Sequence, residues 1–302
     1  MSRTYKAIGI NLKAMPLGES DRIVTILTKE FGLLRAVAMG ARKQNSKLGG
    51  RSGLFVVNEL MLAKGRSLDK ITQAETLESY PGLARNLKKL TAGQYLAELV
   101  LQQALSEQPQ EDLFYLFNEH LGRIERSSDL EVLPRFIHAI YQLLAIAGIA
   151  PQVYQCCITG VRIAPDLANS DAQAGFSGAV GGVVKLDELD RILEEQAPRR
   201  RVQSPVGEYR IESSTSSKTA VTHSPHQSFS SRSLNLPLHA PELAAFQQLP
   251  QADSPNPDQF STATWLTLEK LLRQYSQYHF DQPIRSAALI ESCFAPDSMP
   301  KP

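Results

Sequence analysis

Cysteine is scarce in this chain: 302 residues hold three, Cys156, Cys157 and Cys293, and two of these are adjacent. Neighbouring cysteines rarely bridge, because the link between them is geometrically strained. A disulfide-stapled extracellular scaffold is thereby excluded and a reducing compartment is expected. Long apolar runs are also missing, each being broken by charge well short of the ~20 residues that cross a bilayer. No membrane partner is expected. Met1-Ser2-Arg3-Thr4-Tyr5-Lys6 leads straight into strand-like sequence, with no apolar leader, so a cytoplasmic location is expected.

Catalytic signatures are missing as well. There is no G-x-x-x-x-G-K-[ST] loop, and Gly49-Gly50-Arg51-Ser52-Gly53 lacks the lysine and spacing that cradle nucleotide phosphates. H-E-x-x-H and G-x-S-x-G do not occur. Glu19 and Asp21 flank a turn where they could hold Mg²⁺, but no third carboxylate accompanies them, and turn chemistry explains them better. Cys157 and Cys293 read as inert packed thiols, and His120, His138 and His279 as packing or surface residues of helices. The chain reads as a binding protein, not an enzyme, and no cofactor is expected.

What is present is charge, unevenly placed. The formal total is +1, yet residues 1–53 carry ten Lys or Arg against three acids, a local +7 that leaves the remainder at −6. Much of it falls in one segment, Gly40-Ala41-Arg42-Lys43-Gln44-Asn45-Ser46-Lys47-Leu48-Gly49-Gly50-Arg51. Clustered cations on a small β-rich unit are the footprint of a surface that meets nucleic acid phosphates. Arg22, Arg35, Arg42, Lys43, Lys47 and Arg51 are the candidate contacts, and a barrel is expected to gather the last five on one side. If about five of them engage a single strand, log K should fall with log salt at a slope near −3.5, about −0.7 per contact. Aromatics are sparse here, mainly Tyr5, Phe31 and Phe55, so base stacking and sequence preference should be weak.

Residues 1–80 alternate strand and turn. Apolar or β-branched runs at 7–12, 21–28, 33–38, 54–62 and 69–75 are punctuated by Pro16-Leu17-Gly18, Phe31-Gly32, Gly49-Gly50 and Lys64-Gly65. Five short strands suit a closed barrel of the OB type, and an SH3-like barrel equally. After Tyr80-Pro81 the apolar period becomes helical, with stripes at 83–106, 113–124 and 129–147. Asp129 is the expected N-cap of the third helix and Gly148 its stop. The expected organisation is a barrel at 1–80, a helical domain at 81–150, and a short Gly-rich insert at 151–198. A Ser/Pro-rich disordered insertion follows at 199–240, then the rest of the helical domain at 241–296 and a tail at 297–302.

Gly18-Glu19-Ser20-Asp21-Arg22-Ile23-Val24, Leu27-Thr28-Lys29-Glu30-Phe31-Gly32, Ala36-Val37-Ala38-Met39-Gly40-Ala41-Arg42-Lys43 and Ser46-Lys47-Leu48-Gly49-Gly50 together resemble the RecO recombination and repair mediators. Leu68-Asp69-Lys70-Ile71 and Tyr95-Leu96-Ala97-Glu98-Leu99 extend the likeness. The resemblance implies a multidomain α and β protein: a five-stranded OB-fold β-barrel, then an α-helical bundle domain with a zinc-finger-like insert. It further implies binding of single- and double-stranded DNA, strand annealing, and work with RecR to replace SSB by RecA, at the nucleoid. The SSB C-terminal tail would meet the helical domain in an apolar groove with a basic rim, for which Arg123, Arg126 and Arg135 are available but unassigned. An RNA-binding OB accessory protein shares the charge and strand pattern, without these motifs.

The metal site of that family is degenerate here. Where many members place two Cys-x-x-Cys pairs, this chain has Cys156-Cys157-Ile158-Thr159-Gly160 and, after Gly181-Gly182, Lys185 and Glu188. Such a set cannot close a tetrahedral thiolate site, and no zinc is expected. His223 and His226 form an H-x-x-H pair, but within the Ser-rich tract.

Overall fold

In the N-terminal segment β-branched residues alternate with small ones, a pattern that packs well on a pleated surface, and glycines with positive φ turn the chain between strands. A computed structural model describes residues 4–169, 171–196, 234–253 and 255–294. Five strands, β1 (Thr4–Leu17), β2 (Asp21–Thr28), β3 (Gly32–Ala38), β4 (Val56–Ala63) and β5 (Asp69–Ser79), close into a barrel of order β1-β2-β3-β5-β4. The order is compatible with the OB type. All neighbours are antiparallel except β3 and β5, whose parallel pairing of Ala36 with Asp69 and Val37 with Lys70 shuts the barrel. Ala7, Val24, Ile26, Ala36, Ala38, Leu60 and Leu62 fill its interior, so the residues between them point outward.

One end of the barrel is seated on the helices. Ile10, Leu12, Leu27, Phe55 and Val57 join the core cluster of the helical body, and Phe55 meets Phe117 at 6.5 Å between ring centroids. The β2–β3 turn is clasped by the segment before the second helix. Leu33 N–H donates to Leu105 O at 2.8 Å, Glu107 N–H to Phe31 O at 3.0 Å, and Gln110 N–H to Lys29 O at 2.8 Å. Gly32 sits there at φ +62°, where an added Cβ would lie 2.1 Å from Leu105 O. Only glycine fits.

The body comprises α1 (Leu87–Gln103), α2 (Glu111–Arg126), α3 (Val132–Ile146), α4 (Leu186–Gln196), α5 (Ala240–Phe246), α6 (Thr262–Phe280) and α7 (Ile290–Phe294). α1 starts later than its apolar stripe. Leu83–Arg85 forms a 3-10 turn, and Asn86 then caps α1 by accepting from Lys88 N and Lys89 N. Asp129 is not the cap of α3. Ser128 N–H and Oγ–H both donate to Glu131 Oε2, at 2.7 and 2.9 Å, and close the turn before the helix, while Asp129 accepts from Asn86 Nδ2. Gly148, at φ +75°, ends that helix as expected.

Two expectations change in the second half. Residues 151–198 do not stand apart as a zinc-finger-like insert. β6 (Ala172–Ser177) and β7 (Gly182–Val184) join β8 (Asn235–His239) in a sheet of order β7-β6-β8, and Phe176, Val183 and Leu238 lie in the same core as the helices. The last residues of the expected insertion at 199–240 are therefore a strand. Leu234 and Leu238 are buried, and that apolar repeat pairs with β6 rather than remaining solvated. Residues 197–233, with His223 and His226, and the tail at 297–302 lie outside the described residues.

Candidate nucleic-acid interface

A twelve-residue basic loop must satisfy its own backbone or stay loose. Here the barrel pins it. Arg42 N–H donates to Ser20 O and its Nη1 to Gly18 O, both at 2.8 Å, while Gly40 N–H donates to Asp21 Oδ1 at 2.7 Å. That amide, then Ser20 Oγ–H, holds the Asp21 carboxyl below its ordinary value. Asp21 is thus turn chemistry, and among the described residues no group of three or more His, Cys, Asp or Glu could hold a metal. On the far side of the loop, Asn11 Nδ2 donates to Arg51 O and Gly53 O, and Asn58 Nδ2 also to Arg51 O.

Arg22 is partly buried, and its Nη1 donates to Gly49 O and Ser52 Oγ, both at 3.1 Å. It braces the loop from beneath. Arg35 is exposed on the outer face of β3, and Arg42 and Lys43 project at the β1–β2 hairpin. Lys47 and Arg51 fall elsewhere, in a groove over β4 and β5 that they share with Lys6, Glu59 and Glu75. The loop cations therefore do not gather on one side. The loop wraps over a barrel end, and its two halves descend on different strands.

Strand register brings in residues that linear order does not single out. Lys13 pairs with Thr25, and Thr25 with Arg35; one row on, Met15 pairs with Ile23, Ile23 with Val37, and Val37 with Lys70. Lys13 and Lys70 are exposed. Neither row contains a carboxylate. Counting pairs across the β1–β2 hairpin would have found Lys13, but a bulge between Asn11 and Lys13 and the parallel closure onto β5 are invisible in the linear pattern. The aromatics are occupied: Phe55 is buried, and Tyr5 packs edge-on to Phe31 at 5.0 Å and hydrogen-bonds Asp69.

Two of the degenerate metal positions, Thr159 and Lys185, meet Cys156 through their backbone amides. Cys156 Sγ accepts from Thr159 N–H at 3.5 Å and Lys185 N–H at 3.4 Å. Burial raises the Cys156 thiol pKa, but these donors outweigh it and hold the value below the ordinary one. Burial pushes Cys157 up, and Glu188 is 3.3 Å from Arg191. Thr159, Lys185 and Glu188, standing where three further thiolates would be needed, do not supply the donor set of tetrahedral structural zinc. Arg123 and Arg135 are engaged too, in 2.6 Å ion pairs with Glu119 and Glu131.

The comparisons with known proteins agree with this architecture. A family model described as Recombination protein O N terminal matches residues 1–80, and one described as Recombination protein O C terminal matches 84–195. A Nostoc punctiforme protein named DNA repair protein RecO is 53% identical over 298 residues, covering 98% of each chain. The chain belongs to the RecO family. Proteins of the same name from Nostoc sp. and Gloeobacter violaceus are 51% and 41% identical, over 98% and 99% of this chain and 98% and 97% of their own. RecO proteins are thus a family of DNA repair and recombination proteins, and the likeness runs through the barrel, the helical body and the C-terminal helices. Among the described residues no helix is long and apolar enough to cross a membrane.

Proposed function

We propose that this chain is a DNA-binding recombination mediator whose OB-type barrel holds the phosphates of single- and double-stranded DNA. It anneals complementary strands and, together with RecR, helps RecA replace SSB, whose C-terminal tail is a further partner, at the nucleoid. The observation that carries this reading is the exposure of Arg35, Arg42 and Lys43 toward the hairpin end of a barrel whose first 53 residues bear ten cations and three acids. That end lies opposite the strand ends seated on the helices. Cations that neutralise phosphates lower the repulsion between two strands, and pairing then needs neither cofactor nor hydrolysis. With the barrel aromatics packed away, bases go unread, which suits a protein that must accept any complementary pair.

Annealing of complementary oligonucleotides coated with the cognate SSB tests the reading, with the native protein compared to an Arg42→Ala, Lys43→Ala variant shown folded by circular dichroism. The native protein should anneal and the variant should lag. A native protein that fails to anneal but binds RNA tightly would instead be an RNA-binding accessory protein.

A further inference from the structure

We propose that the recess at the far end of α3 from Arg135 is a docking site for a peptide segment of a partner protein, one that presents an arginine or lysine between aliphatic side chains. Three helices end there together. Gln103, Ile146 and Phe280, the last residues of α1, α3 and α6, line a cavity of about 490 Å³. Each helix C-terminus carries roughly half a negative charge, which a Lys or Arg in the last turn ordinarily offsets. α1 and α3 have no basic residue in that turn. α6 has only His279, which packs edge-on to Tyr275 and Tyr278 and whose pKa burial lowers. Glu111 and Asp112, in the first turn of α2, also line the recess, and their two charges outweigh the roughly half positive charge of that helix end. Exposed Asp281 follows Phe280. Among the described residues that line the recess none is Lys or Arg. Lys29, whose carbonyl accepts from Gln110 N–H, turns its ammonium onto the Tyr115 ring, 4.2 Å from the centroid.

What lies between the charges sets the rest of the occupant. Leu105 is 51% and Ile146 41% exposed, and with Pro109 they give the recess an apolar border that aliphatic side chains would cover. In its wall, Gln102 Oε1 and Gln103 Nε2 are enclosed without a hydrogen-bond partner. One is an acceptor and the other a donor, a pair that the N–H and C=O of a peptide unit match and that a polyamine, with donors alone, does not. An acidic tail is repelled by Glu111 and Asp112. The arginine available to such a tail on α3, Arg135, stands eleven residues before Ile146, about 16 Å along the helix.

The test is a fluorescence-anisotropy titration of the full-length protein into rhodamine-labelled Leu-Arg-Leu-Arg-Leu-amide, with the Leu-Glu-Leu-Glu-Leu peptide as its counterpart. The basic peptide should bind and the acidic one should not. A Glu111→Gln, Asp112→Asn variant changes only exposed side chains. It should bind on the order of fivefold more weakly at low salt, the difference shrinking as salt rises. A Leu105→Ser, Ile146→Ser variant, checked for fold by circular dichroism, should bind on the order of tenfold more weakly at every salt concentration, since only apolar contact is lost. An Asp187→Asn, Glu194→Gln variant, on the exposed face of α4, should bind as the native protein does. An equal loss in that α4 variant overturns the site, because the peptide would then follow only the −6 of residues 54–302. Equal binding of the two peptides, or binding of neither, overturns it as well. Benzoylphenylalanine in place of the central leucine should photo-crosslink within residues 102–113 or 146–147, and crosslinks confined to other segments would place the peptide elsewhere and refute the recess. None of these outcomes bears on DNA binding by the barrel.

Discussion

His120 should make this protein acid-sensitive by a calculable amount. The ring is buried on α2, 5.6 Å from that of His138 on α3, and its Nε2 is enclosed without a hydrogen-bond partner. Burial first, then the neighbouring His138 and Arg123, lower its pKa from 6.5 to about 3. Between those values the unfolded chain binds the proton and the folded protein does not. Stability is therefore complete above the unfolded pKa and drains as pH falls toward the folded one. By pH 5 the loss from this group is about 2 kcal/mol, from one unit being about 1.4 kcal/mol. His120→Leu replaces the ring with an apolar group of similar bulk and removes the titration. Thermal unfolding of both proteins at pH 7 and pH 5 is the assay, and the native Tm should drop by roughly 4 °C more than that of the variant. Carboxylates remote from this pair titrate alike in both proteins and cancel in the comparison. Equal drops would show that His120 is not held neutral, and the reasoning from burial would fail.

Glu269 works in the opposite direction. It is buried on α6, and desolvation raises it from 4.5 to about 7 despite Arg273 Nε at 3.6 Å. The folded protein holds that proton more tightly than the unfolded chain, so the penalty is absent below pH 4.5 and complete above pH 7. Glu269→Gln should raise stability at pH 8 by about 3 kcal/mol and keep only a small part of that gain at pH 5, read by urea unfolding. Gly32→Ala places a Cβ against Leu105 O in a left-handed conformation, and should cost more than about 2 kcal/mol by loosening the seam between barrel and helices. Extended dialysis against a chelator should leave Tm unchanged, and metal analysis of the untreated protein should find no zinc equivalent. A stoichiometric metal would refute the reading of Cys156 as a thiol held by two amides.

The strand and helix positions were written locally, because the period of apolar residues and the turn glycines act over a few neighbours. Ile23-Val24-Thr25-Ile26 prefers a pleated surface wherever it sits, and Gly148 supplies a left-handed stop that residues with a Cβ adopt only at a cost. The cationic barrel was legible for the same reason, since charge adds up without coordinates. What linear order could not settle is which residues meet. Lys70 joins the face of Lys13 and Arg35 only through the parallel closure of β3 onto β5. Lys47 and Arg51 part from Arg42 and Lys43 because the loop is pinned at both flanks by Asn11, Arg22, Asp21 and Asn58. β8 joins β6 across more than fifty intervening residues, and Cys156 becomes a hub only when Lys185 arrives from another loop. Each of these depends on pairing between distant segments, whose free energy appears only when the whole core is buried and whose register no local propensity encodes.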